Sequence, residues 1–194
     1  MIPYEKFRSI IREVKYDMYM CDIRFDNIID FYVFSKETIK KNPAVYGLCT
    51  FEENRFKIGV HPYLLEIEDM HGLYSTLAHE LLHTGEGYMA EHGEVWQRNA
   101  KKLEKAYPGK YTIKEFIDIK ELGLEGRHQR YELTCSACGG KYYYTTKSHM
   151  VKNYESTDCP ECGKWNTLSL KIRPRKELLS LDKIDYSAKE YHFE

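Results

Sequence analysis

The chain has 194 residues, with 29 Lys or Arg against 30 Asp or Glu, so its net charge of −1 gives no global attraction to nucleic acid. Hydrophobic residues make up 42% and charged residues 30%, as in ordinary globular proteins. No apolar run approaches the length that crosses a bilayer, and the charged amphipathic start lacks the features of a secretion signal. The sequence therefore predicts a cytoplasmic protein without a membrane partner, with association to the nucleoid as a further option.

The first third of the chain predicts a helix, a strand and a hairpin. Apolar residues recur at helical spacing over residues 4–20, and the β-branched and aromatic run at 28–35 predicts a buried strand. The sequence KKNP, ending at Pro43, breaks that strand. Residues 44–51 and 55–61 flank a polar turn and alternate as the two strands of a hairpin do.

Two helices joined by a glycine-containing connection are predicted next. The first follows Gly72, runs for about 17 residues and ends at Gly85 and Gly87. The second begins near His92. Its apolar face consists of Trp96, Ala100, Leu103 and Ala106.

After these helices, Thr112 and Glu115 fit a capping box, which predicts a short third helix through residues 116–117. The glycines and charges of residues 123–130 predict a linker. From residue 131 to 172 the pattern changes to short strands around four cysteines.

The first of the two predicted helices carries the sequence HELLH, with His79 and His83 four residues apart and Glu80 between them. Residues at this spacing project from one helical face about 6 Å apart, which lets two imidazoles bind one Zn²⁺. In this motif the glutamate is the general base for a metal-activated water. The sequence therefore predicts a catalytic zinc site with Glu80 as its base.

A catalytic zinc needs a third protein ligand and an open position. Gly85 and Gly87 allow the chain to reverse, so that His92 returns at the first turn of the second helix and Trp96 anchors that helix. His92 is therefore the predicted third ligand. The alternative third ligands are Glu86, Glu91 and Glu94.

The predicted hairpin suggests how a substrate would bind beside this metal. An extended peptide can add to the edge of a sheet through backbone hydrogen bonds, and the strand from Tyr46 to Phe51 is the candidate edge. Glu80 would take a proton from water and pass it to the leaving amine. The sequence leaves open which of three residues stabilises the oxyanion: Tyr88, Tyr46 or His61.

Four of the six cysteines form two C-x-x-C pairs with about twenty residues between them, which is the spacing of a structural zinc site. Four thiolates close the tetrahedron and leave no position for catalysis. A pair of redox dithiols is the alternative, but it does not explain two copies. The predicted ligands are Cys135, Cys138, Cys159 and Cys162, whereas Cys21 and Cys49 are expected to be buried thiols.

Charge is distributed unevenly along the chain. Between Arg127 and Lys176 there are ten Lys or Arg residues and four Asp or Glu residues, so this segment could meet a polyanion. The candidate phosphate contacts are Lys141, Lys147, Lys152, Lys164 and Arg173. The candidate aromatics for stacking on unpaired bases are Tyr142, Tyr143, Tyr144 and Trp165. A purely structural role for this segment is the alternative.

The combination of HELLH, HGEVW and the cysteine pairs in YELTCSAC and CPEC resembles the SprT-like family, relatives of the Spartan-type DNA–protein crosslink proteases. YGLCTFEENRFKIGVHPYLL is similar to the hairpin that precedes the metal site in that family, and TTKSHMV to its basic strand. The resemblance covers residues 4–172. It implies an α+β fold, with a minimal zincin-like domain at 1–126, a Cys₄ zinc ribbon at 127–175 and a charged tail at 176–194.

The resemblance also implies roles for individual residues. His79, His83 and His92 would bind a catalytic zinc, Glu80 would be the base, and the four paired cysteines would bind a structural zinc. The implied activity is that of a zinc metalloendopeptidase acting on DNA-associated proteins, with single-stranded or junction DNA as a partner. The segment between His83 and His92 is shorter than in many relatives, which affects the shape of the substrate cleft.

Two other classes of function remain open from the sequence. One is a non-catalytic zinc-containing protein that binds nucleic acid or regulates, although an intact Glu80 is not needed there. The other is a metal-dependent hydrolase of small substrates. A free edge strand beside the metal favours the peptidase, whereas a deep closed pocket favours the small-substrate hydrolase. The sequence makes no prediction of oligomeric state.

Overall fold

A computed structural model describes residues 2–26, 28–41, 44–85, 92–115 and 118–181. Within this part, the chain forms two compact units, one reaching Gly123 and the other formed by Leu124–Ser180. Both contain a small β-sheet, and helices are present as well, so the predicted α+β class is confirmed. None of the described helices is long and apolar enough to cross a membrane.

Helix α1 (Tyr4–Met20) of the first unit forms as its apolar spacing predicts. One face of the helix is buried, and this face carries Phe7, Ile10, Ile11, Val14 and Met18. The burial of these side chains anchors α1 in the core of the first unit.

The first sheet consists of β1 (Ile29–Val33), β2 (Gly47–Glu52) and β3 (Arg55–Val60), in the spatial order β1-β3-β2. Strands β2 and β3 form the predicted antiparallel hairpin, and β1 pairs with β3 in parallel. The turn residues Glu53 and Asn54 both have positive φ, as a two-residue hairpin turn requires. Strand β2 is therefore at one edge of this sheet.

Between β1 and β2 lies a short helix, α2 (Lys36–Lys41), that the sequence analysis did not predict. Its start is held by Ser35, whose hydroxyl accepts from the backbone N–H of Thr38. Pro43, predicted to break the strand, lies outside the described residues.

Helices α3 (His71–His83) and α4 (Glu94–Ala106) are the two predicted helices, and each has 13 residues. Helix α3 is shorter than predicted, because Thr84 already caps it and its hydroxyl donates to the Leu81 carbonyl. Gly85 follows directly, whereas Gly87 lies outside the described residues. Ala106, assigned to the apolar face of α4, is exposed.

The predicted capping box at Thr112 is wrong, because residues 111–115 form no helix. The backbone N–H of Thr112 donates to Ser75 Oγ at 2.9 Å, and its hydroxyl lies 3.0 Å from His71 Nε2. These bonds hold the segment against α3 instead. Phe116 and Ile117 lie outside the described residues.

The second unit contains an antiparallel sheet of β4 (Tyr131–Cys135), β5 (Lys141–Tyr144) and β6 (Leu168–Ile172), in the order β5-β4-β6, and a short helix α5 (His149–Lys152). Its core is small and contains Tyr131, Leu133, Cys135, Val151, Cys159 and Leu168. The predicted ribbon (127–175) lies within this unit. Residues 182–194 of the predicted tail lie outside the described residues.

The segment predicted as a linker is packed rather than extended. Leu124 is fully buried, and Gly126 adopts a φ of 71° against the ring of Tyr143. A linker interpretation of residues 124–130 is therefore wrong, and they belong to the second unit.

Candidate functional site

Helix α3 carries the first candidate site within the core of its unit. Leu73, Leu77 and Leu81 are fully buried and anchor the helix in the core. His79 and Glu80 lie on the same helix and are only 9% and 7% exposed. Burying a polar side chain costs free energy unless it has a hydrogen-bonding or metal partner, so His79 and Glu80 mark a candidate functional site.

The three predicted histidines converge through the same ring nitrogen. His79 Nε2 lies 3.3 Å from His83 Nε2 and 3.1 Å from His92 Nε2. Zinc bonds of about 2.0–2.1 Å at tetrahedral angles place ligand nitrogens about 3.3–3.4 Å apart. The cluster could hold one metal ion and has the dimensions that zinc needs.

The tautomer of His79 supports a metal rather than a hydrogen-bonded cluster. Its Nδ1 lies 3.0 Å from the Lys114 carbonyl, which can only accept, so Nδ1 carries the proton. Burial, together with the neighbouring His83 and His92, lowers the pKa of His79 to about 3, so the ring is neutral and Nε2 has a lone pair. One lone pair cannot accept from two histidines, whereas one cation can bind all three rings.

His83 has the protonation state that metal binding requires. Burial is the main cause that lowers its pKa to about 4, with a further contribution from His92. A neutral imidazole at neutral pH is the form that binds a metal.

His92 was predicted to lie in the first turn of α4, but it lies before that helix. It precedes Gly93, which is the N-cap, and α4 begins at Glu94. Gln97 donates to the His92 carbonyl at 3.0 Å and fixes the backbone there. The prediction that His92 joins the other two histidines agrees with the structure, but its position relative to the helix was wrong.

Trp96 packs against the three imidazoles, as its predicted role as an anchor requires. Its ring centroid lies 4.9 Å from that of His79, 5.9 Å from that of His83 and 4.6 Å from that of His92. Trp96 itself is 6% exposed. The indole therefore restricts the ring orientations in which the three nitrogens converge.

The segment after α4 supplies polar groups around the imidazoles. Besides the Lys114 carbonyl, the Glu115 carboxylate lies 3.8 Å from His92 Nδ1. Groups that contact the outer ring nitrogen of a metal-binding histidine orient the ring and raise its basicity. The sequence analysis assigned Glu115 to a helix cap and missed this role, because no local pattern reveals a contact with His92.

Glu80 points to strand β2 rather than to solvent. The backbone N–H of Cys49 donates to its carboxylate, and burial, which outweighs this hydrogen bond, raises the pKa of Glu80 to about 8. Gly47 allows this close approach, because a Cβ at Gly47 would overlap Glu80 Oε1 and lie 2.6 Å from Thr76 Cγ2. A glycine inside the predicted strand 44–51 was the only sequence clue to this contact.

A cavity of about 190 Å³ opens beside Glu80 and His79. Its walls come from the segment before β2, one face of α3 and the segment after α4. The lining residues are Ala44, Val45, Tyr46, Gly47, Thr76, His79, Glu80, Glu115 and Leu122. The two buried polar residues of α3 are therefore accessible to a small group that enters the cavity.

Of the three candidates for stabilising the oxyanion, Tyr46, His61 and Tyr88, only Tyr46 is among the described residues that line the cavity. Tyr46 lines it, and burial raises the pKa of its phenol, which stays a donor. His61 does not line it, is 3% exposed and accepts from the Tyr63 N–H. Tyr88 lies outside the described residues.

Of the three alternative third ligands, only Glu94 lies among the described residues. Glu94 is exposed and is not part of the histidine cluster. Glu86 and Glu91 lie outside the described residues.

The four paired cysteines form a second cluster in the other unit. Cys135 Sγ lies 3.8 Å from Cys162 Sγ, and Cys138 Sγ lies 3.7 Å from Cys159 Sγ. Zinc–sulfur bonds of about 2.3 Å at tetrahedral angles place sulfurs about 3.8 Å apart. A disulfide needs about 2.05 Å, so the geometry fits a bound metal and not a disulfide.

Two turns of the same design present these sulfurs. In the first, Cys135 N–H donates to the Gly140 carbonyl and Gly139 N–H to the Cys135 carbonyl. The same two bonds recur around Cys159, with Lys164 and Gly163 as partners. Gly139 and Gly163 have φ of 76° and 66°, a conformation that favours glycine.

Backbone donors approach the sulfurs as well. Ala137 N–H lies 3.4 Å from Cys135 Sγ, and Gly140 N–H lies 3.4 Å from Cys138 Sγ. Such donors favour the thiolate form that a metal binds. The remaining two cysteines are separate from both clusters: Cys21 is 8% exposed, and Cys49 is half-buried rather than fully buried as expected.

The four aromatics proposed for base stacking differ in exposure. Tyr142 and Tyr144 pack against the core of the second unit, and Tyr143 packs against Gly126. Trp165 is 65% exposed. Among these four, Trp165 alone presents a largely open ring.

The predicted phosphate contacts are mostly solvent-facing. Lys141, Lys147, Lys152 and Lys164 are exposed, and Arg173 is half-buried. Lys141 also lies 3.7 Å from Glu132, so part of its charge is balanced. Lys171 on β6 is exposed as well; it belongs to the ten basic residues counted between Arg127 and Lys176 but was not among the candidate contacts.

No protein-family model matches the chain, and no curated protein sequence is similar to it. The assignment of function therefore depends on the site geometry and on the motif resemblance.

Proposed function

We propose that the protein is a zinc-dependent metallopeptidase of the SprT-like type that acts on DNA-associated proteins. The observation that carries this proposal is the convergence of three imidazole nitrogens beside a buried carboxylate in the wall of a cavity. Three imidazole ligands leave one position of a tetrahedral metal for water or substrate.

When bound, zinc supplies a Lewis acid that polarises a peptide carbonyl and makes water more acidic. His79, His83 and His92 would hold it, with Lys114 and Glu115 orienting two of the rings. A cation bound by the histidines would favour the ionised form of Glu80, against the burial that raises its pKa. The ionised carboxylate lines the cavity and is held by the Cys49 N–H, so it would accept the proton of the attacking water and return it to the leaving amine. Tyr46 donates to the developing oxyanion.

We assign the fold of the first unit to the zincin-like class and that of the second to a zinc ribbon. The metal is expected to stabilise the second unit, since its core is small. The ribbon would contact single-stranded or junction DNA through its lysines and through Trp165. Exposed aromatic rings stack on unpaired bases, and lysines neutralise phosphates.

The proposal is tested by incubating the zinc-loaded protein with a DNA-binding protein, with and without single-stranded or junction DNA, and measuring cleavage by mass spectrometry. We expect cleavage, stimulated by DNA, that falls about 10²–10⁴-fold in Glu80→Gln while both zinc ions are retained. Glu94→Gln is the matched control, because Glu94 is exposed outside the histidine cluster.

Equal cleavage by wild type and Glu80→Gln would contradict the assigned base. DNA binding without any cleavage by the wild type would instead support the non-catalytic alternative. The ribbon's part is tested separately: Trp165→Ala should weaken single-stranded DNA binding by about 1–3 kcal/mol. Tyr143→Phe is the control, since the ring of Tyr143 is half-buried and packs against Gly126.

A further inference from the structure

The free edge of β2 has a defined pattern of backbone groups. The His61 N–H donates to the Tyr46 carbonyl, and the Phe34 N–H donates to the Val60 carbonyl. Gly47 pairs with Val60. Because pairs in an antiparallel ladder alternate, Gly47 directs its N–H and C=O away from β3, toward the open edge.

The same alternation applies to Cys49, but the N–H of that residue is already used. It donates to the Glu80 carboxylate, so the edge is occupied there. The sequence analysis considered the whole strand from Tyr46 to Phe51 as the edge for a peptide. In the structure, Gly47 is the position where an outward-facing backbone also lines the cavity.

The cavity beside Gly47 has the size of one side chain. A cavity of about 150 Å³ is enough to hold benzene, and this mixed polar and apolar cavity measures about 190 Å³. Besides His79 and Glu80, three further polar residues line it, Tyr46, Thr76 and Glu115. Its apolar part is formed by Ala44, Val45, Leu122 and the backbone of Gly47. Of the apolar lining residues, Leu122 is buried, Val45 is half-buried and Ala44 is exposed. An aliphatic side chain would bury apolar surface against Leu122 and Val45, whereas a charged one would lose part of its hydration there.

The floor of the cavity is buried and closely packed against α3. Leu122 is 1% exposed, and its backbone contacts α3 so closely that a Cβ at Gly72 would lie 2.6 Å from the Leu122 carbonyl. Thr76 is 3% exposed, lines the cavity, and its Oγ1 has no hydrogen-bond partner among the described residues. A buried hydroxyl without a partner is costly, and the backbone of a bound peptide would satisfy it.

We propose that this cavity is a substrate subsite. It would receive one medium-sized aliphatic side chain (Val, Ile, Leu or Met) from an extended peptide whose backbone pairs with Gly47, at a position flanking the bond that is cleaved. This inference rests on the proposed peptidase function and adds to it the class of sequence that is cleaved. Thr76 and Gly47 contact the peptide backbone, while Ala44, Val45 and Leu122 select the side chain.

Glu115 also lines the cavity, and its carboxylate could pair with a Lys or Arg side chain of a peptide. A basic side chain is therefore the alternative occupant of the cavity. The Glu115 carboxylate is 53% exposed and lies 3.8 Å from His92 Nδ1, so it is directed at the histidine cluster rather than at the aliphatic part. We therefore expect aliphatic residues to be preferred over Lys and Arg.

The subsite is tested by digesting a random peptide library with the zinc-loaded protein and sequencing the products by mass spectrometry. We expect one position beside the cleaved bond to be enriched at least about 10-fold in Val, Ile, Leu and Met over Lys, Arg, Asp and Glu. Ala44→Phe should fill the cavity and shift this preference toward Gly and Ala. Lys41→Phe is the matched control, because Lys41 is exposed and does not line the cavity.

The two hypotheses fail in different ways. Cleavage without an aliphatic preference at any flanking position, a preference for basic residues, or an unchanged preference in Ala44→Phe would overturn the subsite while leaving the peptidase intact. Absence of cleavage of every peptide and protein by the wild type would overturn both.

Discussion

The two candidate metal centres use opposite designs. Three imidazoles converge on buried helix α3, beside a carboxylate and a cavity, whereas four cysteines in the second unit complete a tetrahedron by themselves. A site with three protein ligands keeps a position for chemistry, and a site with four does not. The difference teaches that metal-binding residues alone do not define activity. The surrounding carboxylate and space do.

The surroundings of the two centres also predict different contributions to stability. The first unit has a core of many fully buried side chains, including Leu73, Leu77 and Leu81 of the helix that carries His79. The second unit buries few apolar side chains outside its cysteine cluster. We therefore expect the second unit to need its metal for folding, whereas the first unit should fold without its metal and need it only for activity.

The largest effect is expected in Cys135→Ser. Loss of one thiolate should release the metal of the second unit and remove about 10 kcal/mol of folding free energy, by comparison with zinc fingers. Zinc content would fall from two to one per chain, and hydrogen exchange would show loss of protection across β4–β6. Ser136→Ala, next to it and exposed, serves as control. Retained protection after zinc loss would refute a folding role for the metal.

His79→Ala provides the opposite test. Zinc content should again fall by one, and peptide cleavage should fall by at least about 10³-fold, because the metal and its electrostatic stabilisation are lost. The unfolding free energy of the first unit should fall by only about 1–3 kcal/mol, since the apolar contacts of α3 remain. Circular dichroism during thermal unfolding measures this. Complete unfolding of the variant would erase the distinction between the two centres.

Gly47→Ala should impair the first centre without touching a metal ligand. The added methyl group would overlap Glu80 Oε1 and Thr76 Cγ2, so the carboxylate must move. We expect kcat to fall about 10²-fold, which is within the range for losing a positioned general base. Zinc content should remain at two.

A second variant separates the two overlaps of Gly47→Ala. Adding Thr76→Ser removes the methyl group at one of them, but the overlap with Glu80 stays. Compared with Gly47→Ala alone, the double variant Gly47→Ala, Thr76→Ser should have a higher unfolding free energy but the same low kcat. Full recovery of activity would show that Glu80 is not displaced.

The smallest effect is expected in Glu115→Gln. Loss of the carboxylate near His92 should weaken zinc binding at the first centre by about 10-fold, at the lower end for groups that orient metal-binding histidines. Competition with a chelator measures this affinity independently of catalysis. Lys114 supplies only its backbone to His79, so Lys114→Ala is the control that should leave the affinity unchanged.

Local spacing made much of this molecule predictable. The helical period placed α1 correctly, and the i, i+4 relation placed His79 and His83 on one face of α3. The two C-x-x-C turns with their glycines were equally local. In one failed prediction a distant contact replaced a local one, because Thr112 bonds Ser75 and His71 instead of capping a helix. Helix α2 was missed even though the local contact of Ser35 with Thr38 starts it.

The sequence by itself determined which atoms could bind metal, because ligand type and short spacing are properties of neighbouring residues. Only the tertiary structure decided which distant groups surround the histidine site and Glu80. Gly47 makes room for Glu80, the Lys114 carbonyl fixes the tautomer of His79, and Leu122 forms the cavity floor. The physical reason is that these contacts join residues more than thirty positions apart, and packing, not local preference, sets such distances.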